Sequence, residues 1–497
     1  MAEYLFRPAC FLEAFSSNVG LFALHHWLFQ GTTMSLRTQV LRGGTYLVLR
    51  QGLGVIISLA GVLLLTRVIG PEKYGIYAAA TSIFLYLQML SQLGIEVYLV
   101  RREGEEQLGV YHQAFTLLLF QGLGGMLLAV LALPLLEKWV NLEGFRSVAQ
   151  VLFLGLPVVL LNQVPMARLE RNLDYKRVAL IELFGQLVYY LVAFPMAFRG
   201  AGVWALVGGW WVQQIQSLAL LYWSANYRPG FSWDLNLVKE MLGYSTGFSA
   251  SMWVWQLRTL VNPLLVGRYA GAEAVGYVAL AIRIIDILSF VKAATWRISI
   301  ATLGRLQGDR DRLVKAVTEG MGLQILALGP LLVAASWLLP WLIPLVFGPR
   351  WLPVVQVYAF IALSNLTNSL FNMHSSALYV LRRNWEVTAF HVVHIAIFLG
   401  SAFLLVPRFG LVGYGWAEVA TLAGYVAIHF YLVRYIGNPD YRLAGLWWAA
   451  CTAALFVYQL GWWAALGLVA VALLPNTQQK LKDYIASLRG VKREAQS

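Results

Sequence analysis

Polar and Gly/Pro breaks cut residues 44–475 of this chain into about fourteen apolar windows, each close to the roughly 20 residues that a helix needs to cross a bilayer. That pattern leaves few folds open. Hydrocarbon offers no partner to a backbone N–H or C=O, so a spanning segment must close its hydrogen bonds inside a helix or around a barrel. The windows are too long for barrel strands, and none alternates with a period of two. The expected fold class is an all-α integral membrane protein. Composition agrees, with 59% of the 497 residues hydrophobic and 12% charged, which excludes a soluble globular domain.

One local pattern occurs twice. Arg67-x-x-Gly70-Pro71-Glu72-x-x-Gly75 returns 201 residues later as Arg268-x-x-Gly271-Ala272-Glu273-x-x-Gly276, each copy after an apolar run of spanning length. Duplicated membrane halves commonly meet at a substrate path, so the repeat points to transport. The expected layout is two pseudo-symmetric six-helix bundles at 44–224 and 243–433, joined by a cytoplasmic linker at 225–242. Two extra transmembrane helices occupy 434–475, with the alternative that they form one kinked or re-entrant element, since only Gly461 separates them. A cytoplasmic tail at 1–43 and a basic cytoplasmic tail at 476–497 flank the spans. Leu21 to Phe29 is apolar but too short to cross, and Met34 is an alternative start of translation.

The 37 Lys and Arg outnumber the 24 Asp and Glu, an excess that in a membrane protein reports orientation rather than nucleic-acid binding. With both termini cytoplasmic, inside segments hold 25 of the basic residues and outside loops hold 8. Cys10 and Cys451 form no spaced motif, so neither a disulfide framework nor a thiolate metal site is expected.

Ionisable residues within spans are the candidate site, because each costs about 2.5–3.5 kcal/mol at the bilayer centre unless it faces a cavity or a partner. Arg50, Arg258 and Arg283 are the expected substrate contacts. Glu182, Asp286 and Glu418 are the carboxylates that would balance them or take a coupling cation. At about 100° per residue, Arg283, Asp286 and Arg297 share a helix face and Lys292 points away, so Arg283 and Asp286 are placed to pair. Trp253, Trp255 and Trp296 are placed to stack on sugar faces, although interfacial anchoring is the ordinary role of such residues. His391 and His394 stand three apart on one helix face with His374 a helix earlier, but no acid falls at a fitting spacing, so packing is the expected role and no metal or other cofactor is expected. Gly243, Gly247 and Ser251, and Gly52, Gly54 and Gly61, mark close helix packing, and Pro157, Pro165, Pro263 and Pro330 mark kinks. The chain carries no phosphate-loop, G-x-S-x-G or H-E-x-x-H pattern, so neither an ATPase engine nor a hydrolase is supported.

Three segments together resemble the polysaccharide transporter branch of the multidrug/oligosaccharidyl-lipid/polysaccharide exporter superfamily. They are Arg50-Gln51 with Thr66-Arg67-x-x-Gly70-Pro71-Glu72-x-Tyr74-Gly75, the basic loop Ala167 to Arg177, and Gly276-Tyr277-x-Ala279-Leu280-Ala281-x-Arg283. The resemblance covers roughly Met34 to Ile436. It implies a flippase, not an enzyme, that moves undecaprenyl-diphosphate-linked oligosaccharide repeat units across the bacterial inner membrane by alternating access around a cationic cavity. It further implies a monomer in contact with membrane lipids, working beside a polysaccharide polymerase and a chain-length regulator. Related lipid II flippases carry cavity arginines on the first, second and eighth helices; here Arg50 and Arg283 match the first and eighth, but the second offers only Glu96. That departure argues against a peptidoglycan precursor. A cation-coupled multidrug or metabolite antiporter of the same superfamily is the alternative and would depend on Glu182, Asp286 or Glu418. A membrane-embedded glycan polymerase or ligase is disfavoured, because the longest outside loops have only about a dozen residues.

Overall fold

A computed structural model describes residues 61–102, 107–289 and 308–480, together with residues 50, 52–54, 57, 58, 104, 303, 304, 306 and 482, and for residues 244–250 the backbone alone. The expectations for the 1–43 tail, Cys10, Lys292, Trp296, Arg297 and nearly all of the basic tail after residue 480 lie outside the described residues.

The first half contains α1 (61–69, with Arg50 also helical), α2 (Pro71–Gln92), α3 (Ile95–Arg101), α4 (Leu108–Val140), α5 (Phe145–Phe153), α6 (Leu156–Arg171), α7 (Tyr175–Phe198) and α8 (Val203–Ser224). The second contains α9 (Leu235–Gln256), α10 (Gly267–Leu288), α11 (Arg310–Val346), α12 (Val354–Val380), α13 (Asn384–Thr421) and α14 (Tyr425–Ile436). Then follow α15 (Arg442–Leu455), α16 (Val457–Leu460) and α17 (Leu466–Leu473). No strand occurs among the described residues. Six helical stretches among them are long and apolar enough to cross a membrane, or seven if α2 and α3, bent by 50° at Leu93–Gly94, form one span. The chain is thus an all-helical, multi-pass membrane protein.

Several long stretches conceal a chain reversal or a break. Asn384–Ile436 runs for 53 residues, about 80 Å at 1.5 Å per residue and far more than a bilayer core of about 30 Å. Gly410 breaks it with φ 55° and ψ −128°, nearly the φ 56° and ψ −126° of Gly202 between α7 and α8. α8 falls short as a span on hydropathy, although it is 22 residues long, because it carries Gln213, Gln214 and Gln216 near its centre. Helix α9 starts at Leu235, so the expected linker narrows to a short stretch before it, and that stretch is pinned: Asp234 N donates to Gln113 Oε1 at 2.6 Å and Ser232 N to Thr116 Oγ1 at 3.1 Å.

The repeated pattern is where the halves join. Gly70 has φ 83° and ψ 167°, and Gly271 has φ 84° and ψ 177°, a region that essentially only glycine occupies. Each starts a helix, α2 and the main part of α10, and these two helices pack on each other. A Cβ on Gly75 would lie 1.8 Å from the Ala272 carbonyl oxygen, and one on Gly276 would lie 2.4 Å from that of Pro71. Lipid supplies little hydrophobic drive between helices, so this backbone approach, open only to small residues, is what gives the contact its dispersion energy. The repeat's arginines then reach across in opposite directions. Arg67 donates to the carbonyls of Leu345 and Val346 at the end of α11, and Arg268 donates to those of Lys138 and Trp139 at the end of α4. Those carbonyls lack intrahelical partners and carry the negative end of the helix dipole, which suits a guanidinium. Trp351, 1% exposed, seals the same end with its ring against Tyr74 and Tyr277 and its indole N–H on the Thr66 carbonyl.

At the opposite end the basic loop after α6 does similar work. Arg168 donates to the Ala225 and Asn226 carbonyls and Arg177 to that of Ser224, capping α8, while Arg171 caps α3 through Leu99 and also reaches Gly104. There Tyr98 donates to Glu240 at 2.7 Å, linking α3 of the first half to α9 of the second.

Candidate functional site

Two chambers open beside α10, and Asp286 lines both. The larger, about 800 Å³, lies within the first half and is closed on one side by α10. The smaller, about 170 Å³, lies within the second half.

Arg50 and Arg283 both line the large chamber. Arg50 pairs with Glu182 of α7 at 2.8 Å, with each side chain about one-third exposed. Arg283 comes from the other half and donates to the Ser58 hydroxyl, so the two arginines approach one space from separate bundles. Glu182 and Asp286 share that lining, which makes the charge around the chamber balanced rather than uniformly positive. The wall between is uncharged and polar. Asn162 and Gln163 of α6, Gln186 of α7, and Gln213 and Gln214 of α8 bring five carboxamides into it.

Arg258 is elsewhere. Pro263 supplies no N–H and crowds the preceding turn, and around it α9 gives way to a 3-10 turn at Leu257–Leu260 and a π turn at Asn262–Val266. The loosened helix carries Arg258 into the small chamber. It donates there to Glu418, to Ser364 Oγ at 3.1 Å and to His394 Nε2 at 3.1 Å, and lies over the Phe398 ring. Glu418 is 1% exposed. A guanidinium only donates, so Nε2 of His394 is its acceptor, and the ring is held as a neutral partner. The three expected substrate arginines therefore divide two and one between the chambers.

Trp255 also lines the small chamber. Trp255 lies against His391 and His394 at 4.9 and 5.3 Å, and His391 is hydrogen-bonded to Ser251. No group of three or more metal-ligating side chains occurs among the described residues. Gly61 packs directly on the Tyr190 ring, whereas Gly52 meets nothing within 4 Å of a built Cβ. The carboxamide wall escaped the sequence reading, which attended to charge. Its signal was present as Asn162-Gln163 and Gln213-Gln214-x-Gln216-Ser217 inside otherwise apolar windows.

Residues 64–356 match the sequence profile of a family described as "Polysaccharide biosynthesis protein", more than half of the chain. The chain belongs to that family. Among its relatives, the succinoglycan biosynthesis transport protein ExoT of Rhizobium meliloti is 25% identical over 61% of this chain and 61% of its own length. The lipopolysaccharide biosynthesis protein WzxC of Escherichia coli is 20% identical over 83% of this chain and 85% of its own. The teichuronic acid biosynthesis protein TuaB of Bacillus subtilis is 22% identical over 59% and 61%. The chain thus spans about three-fifths of the length of two of these relatives. A solved lipid II flippase MurJ in an inward closed conformation shares the fold with TM-score 0.67 and 12% identity, over 87% of this chain and 99% of that one. An inward-facing MATE multidrug transporter follows with TM-score 0.55 and 16% identity, over 86% and 98%. The chain accordingly shares its fold with these two solved structures.

Proposed function

We propose that this protein flips diphosphate-linked oligosaccharide repeat units across the cytoplasmic membrane for cell-surface polysaccharide synthesis, by alternating access between its two halves. The observation that carries the reading is the 800 Å³ polar chamber, approached by Arg50 from one bundle and Arg283 from the other. A lipid-linked glycan must carry a diphosphate and its hydroxyls through hydrocarbon while its chain stays in lipid. Guanidinium forks match phosphate oxygens in charge and geometry, and a water-filled chamber lowers the solvation penalty of the crossing. Arg283 at the half-to-half seam is the principal phosphate contact, and Arg50 joins when the phosphate displaces Glu182. Arg258 serves differently, as a fixed charge balanced by Glu418 that shapes the second half.

In this reading the chain crosses the inner membrane about fourteen times with both termini cytoplasmic, so the Gly70 end faces outward and is the closed gate. An antiporter would need a carboxylate available to a coupling cation; Glu182 and Glu418 each already hold an arginine, and Asp286, which lines both chambers, is the third carboxylate on which that alternative would depend. The test is complementation in a strain lacking its own flippase for a known repeat unit. Arg283→Ala is expected to abolish surface polymer at normal protein level, and full polymer from Arg283→Ala and Arg50→Ala together overturns the reading.

A further inference from the structure

The large chamber holds more polar chemistry than a phosphate requires. Its five carboxamides come from three successive helices of the first half, α6, α7 and α8, whereas Arg283 enters from α10 of the second. They are only partly satisfied by one another. The Asn162 side chain is 8% exposed, and its Nδ2 donates to Gln214 Oε1 at a long 3.5 Å. Its Oδ1 is buried without a partner. Gln186 Nε2 is committed to the Gly54 carbonyl at 2.9 Å. Polar groups left open at membrane depth are costly and mark a site that something else completes. A carboxamide offers a donor and an acceptor side by side without charge, which is the pattern of a sugar hydroxyl. Tyr189 and Trp210 line the same space and supply the flat apolar faces on which a pyranose ring rests. Among the described residues, the second half's chamber is about 170 Å³ and is lined by the Arg258–Glu418 pair.

We infer that the carboxamide wall of the first half is a glycan subsite that selects uncharged, hydroxyl-rich sugars next to the diphosphate, with Asn162 and Gln214 as specificity-determining residues. The inference rests on the flippase reading, and it assigns the two parts of the headgroup to different places. The diphosphate stays at the seam with Arg283, while the first sugars enter the first half. A uronic acid at that position is disfavoured, because its carboxylate would be desolvated on a wall of carboxamides beside Glu182, with Arg50 already paired to that carboxylate.

The test uses the full chain in proteoliposomes with three probes: a fluorescent polyprenyl diphosphate bearing a neutral disaccharide, the same lipid with a uronic acid as its first sugar, and the bare polyprenyl diphosphate. Wild-type protein is expected to move the neutral-sugar lipid at least tenfold faster than the uronic acid lipid. Asn162→Leu with Gln214→Leu is expected to slow the neutral-sugar lipid at least tenfold and leave the bare diphosphate unchanged, whereas Arg283→Ala slows both. Equal or faster movement of the uronic acid lipid by the wild type overturns the inference without need of a variant. So does a double variant that keeps wild-type preference and rate. Failure of the wild type to move any of the three probes counts against the flippase reading itself, which separates the two outcomes.

Discussion

Replacing Gly75 with alanine tests whether the repeated pattern is the closed gate. The added Cβ would lie 1.8 Å from the Ala272 carbonyl oxygen, 2.8 Å from its carbon and 2.9 Å from Gly276 N. Side-chain carbons do not approach within 3.0 Å, so α2 and α10 must separate by at least about 1.2 Å, and both partners are backbone that cannot rotate aside. Overpacking of this kind costs about 1–3 kcal/mol, and it falls only on the conformation in which the Gly70 end is shut. That shifts the population toward the alternative conformation by about 5- to 150-fold. Val62 lines the large chamber eight residues before Gly70, so Val62→Cys reports access to it in a chain whose Cys10 and Cys451 are replaced by alanine. Labelling of Val62→Cys by a membrane-impermeant maleimide added from the Gly70 side should accelerate at least fivefold with Gly75→Ala. Gly124→Ala is the control, since nothing lies within 4 Å of its built Cβ, and it should change nothing. An unchanged labelling rate in a folded Gly75→Ala protein refutes the gate.

Three other outcomes follow from the same geometry. Arg67→Ala and Arg268→Ala each remove hydrogen bonds to two helix-end carbonyls at an exposed position, worth about 0.5–1 kcal/mol, so each should raise Val62→Cys labelling by about two- to fivefold. Arg258→Met strands a carboxylate that is 1% exposed and should cost about 3–5 kcal/mol in detergent unfolding, while Arg258→Met with Glu418→Leu should recover most of it; equal loss in both would show that the pair is not what Arg258 contributes. Glu72→Cys should label only from outside the cell and Lys176→Cys only from inside, and a reversed result would invert the proposed orientation.

Much of the fold was written in local chemistry. Spanning helices follow from the absence of water in hydrocarbon, and the Gly70 and Gly271 turns follow from a backbone geometry open only to glycine, so both could be read from the chain. The matched turns at Gly202 and Gly410 were equally local but stand in surroundings with few shared letters, and only their dihedral angles reveal the pairing. Site chemistry was less legible because it depends on partners far apart in sequence. Glu418 lies 160 residues from Arg258 and Glu182 lies 132 from Arg50, and no spacing rule within one helix could have matched them. The reciprocal capping by Arg67 and Arg268 was hidden for the same reason, although both arginines belong to the repeat that organises the molecule. The carboxamides were visible as letters, yet their convergence on one wall required the packing of α6 against α8.

In the proposed function a diphosphate-linked sugar crosses through the large chamber beside α10. The most direct measurement is the flipping rate of a fluorescent polyprenyl diphosphate disaccharide in proteoliposomes containing the purified chain or its Arg283→Ala variant. Movement well above protein-free vesicles is expected for the wild type, with a loss of at least tenfold for the variant. Equal rates for both proteins would contradict it.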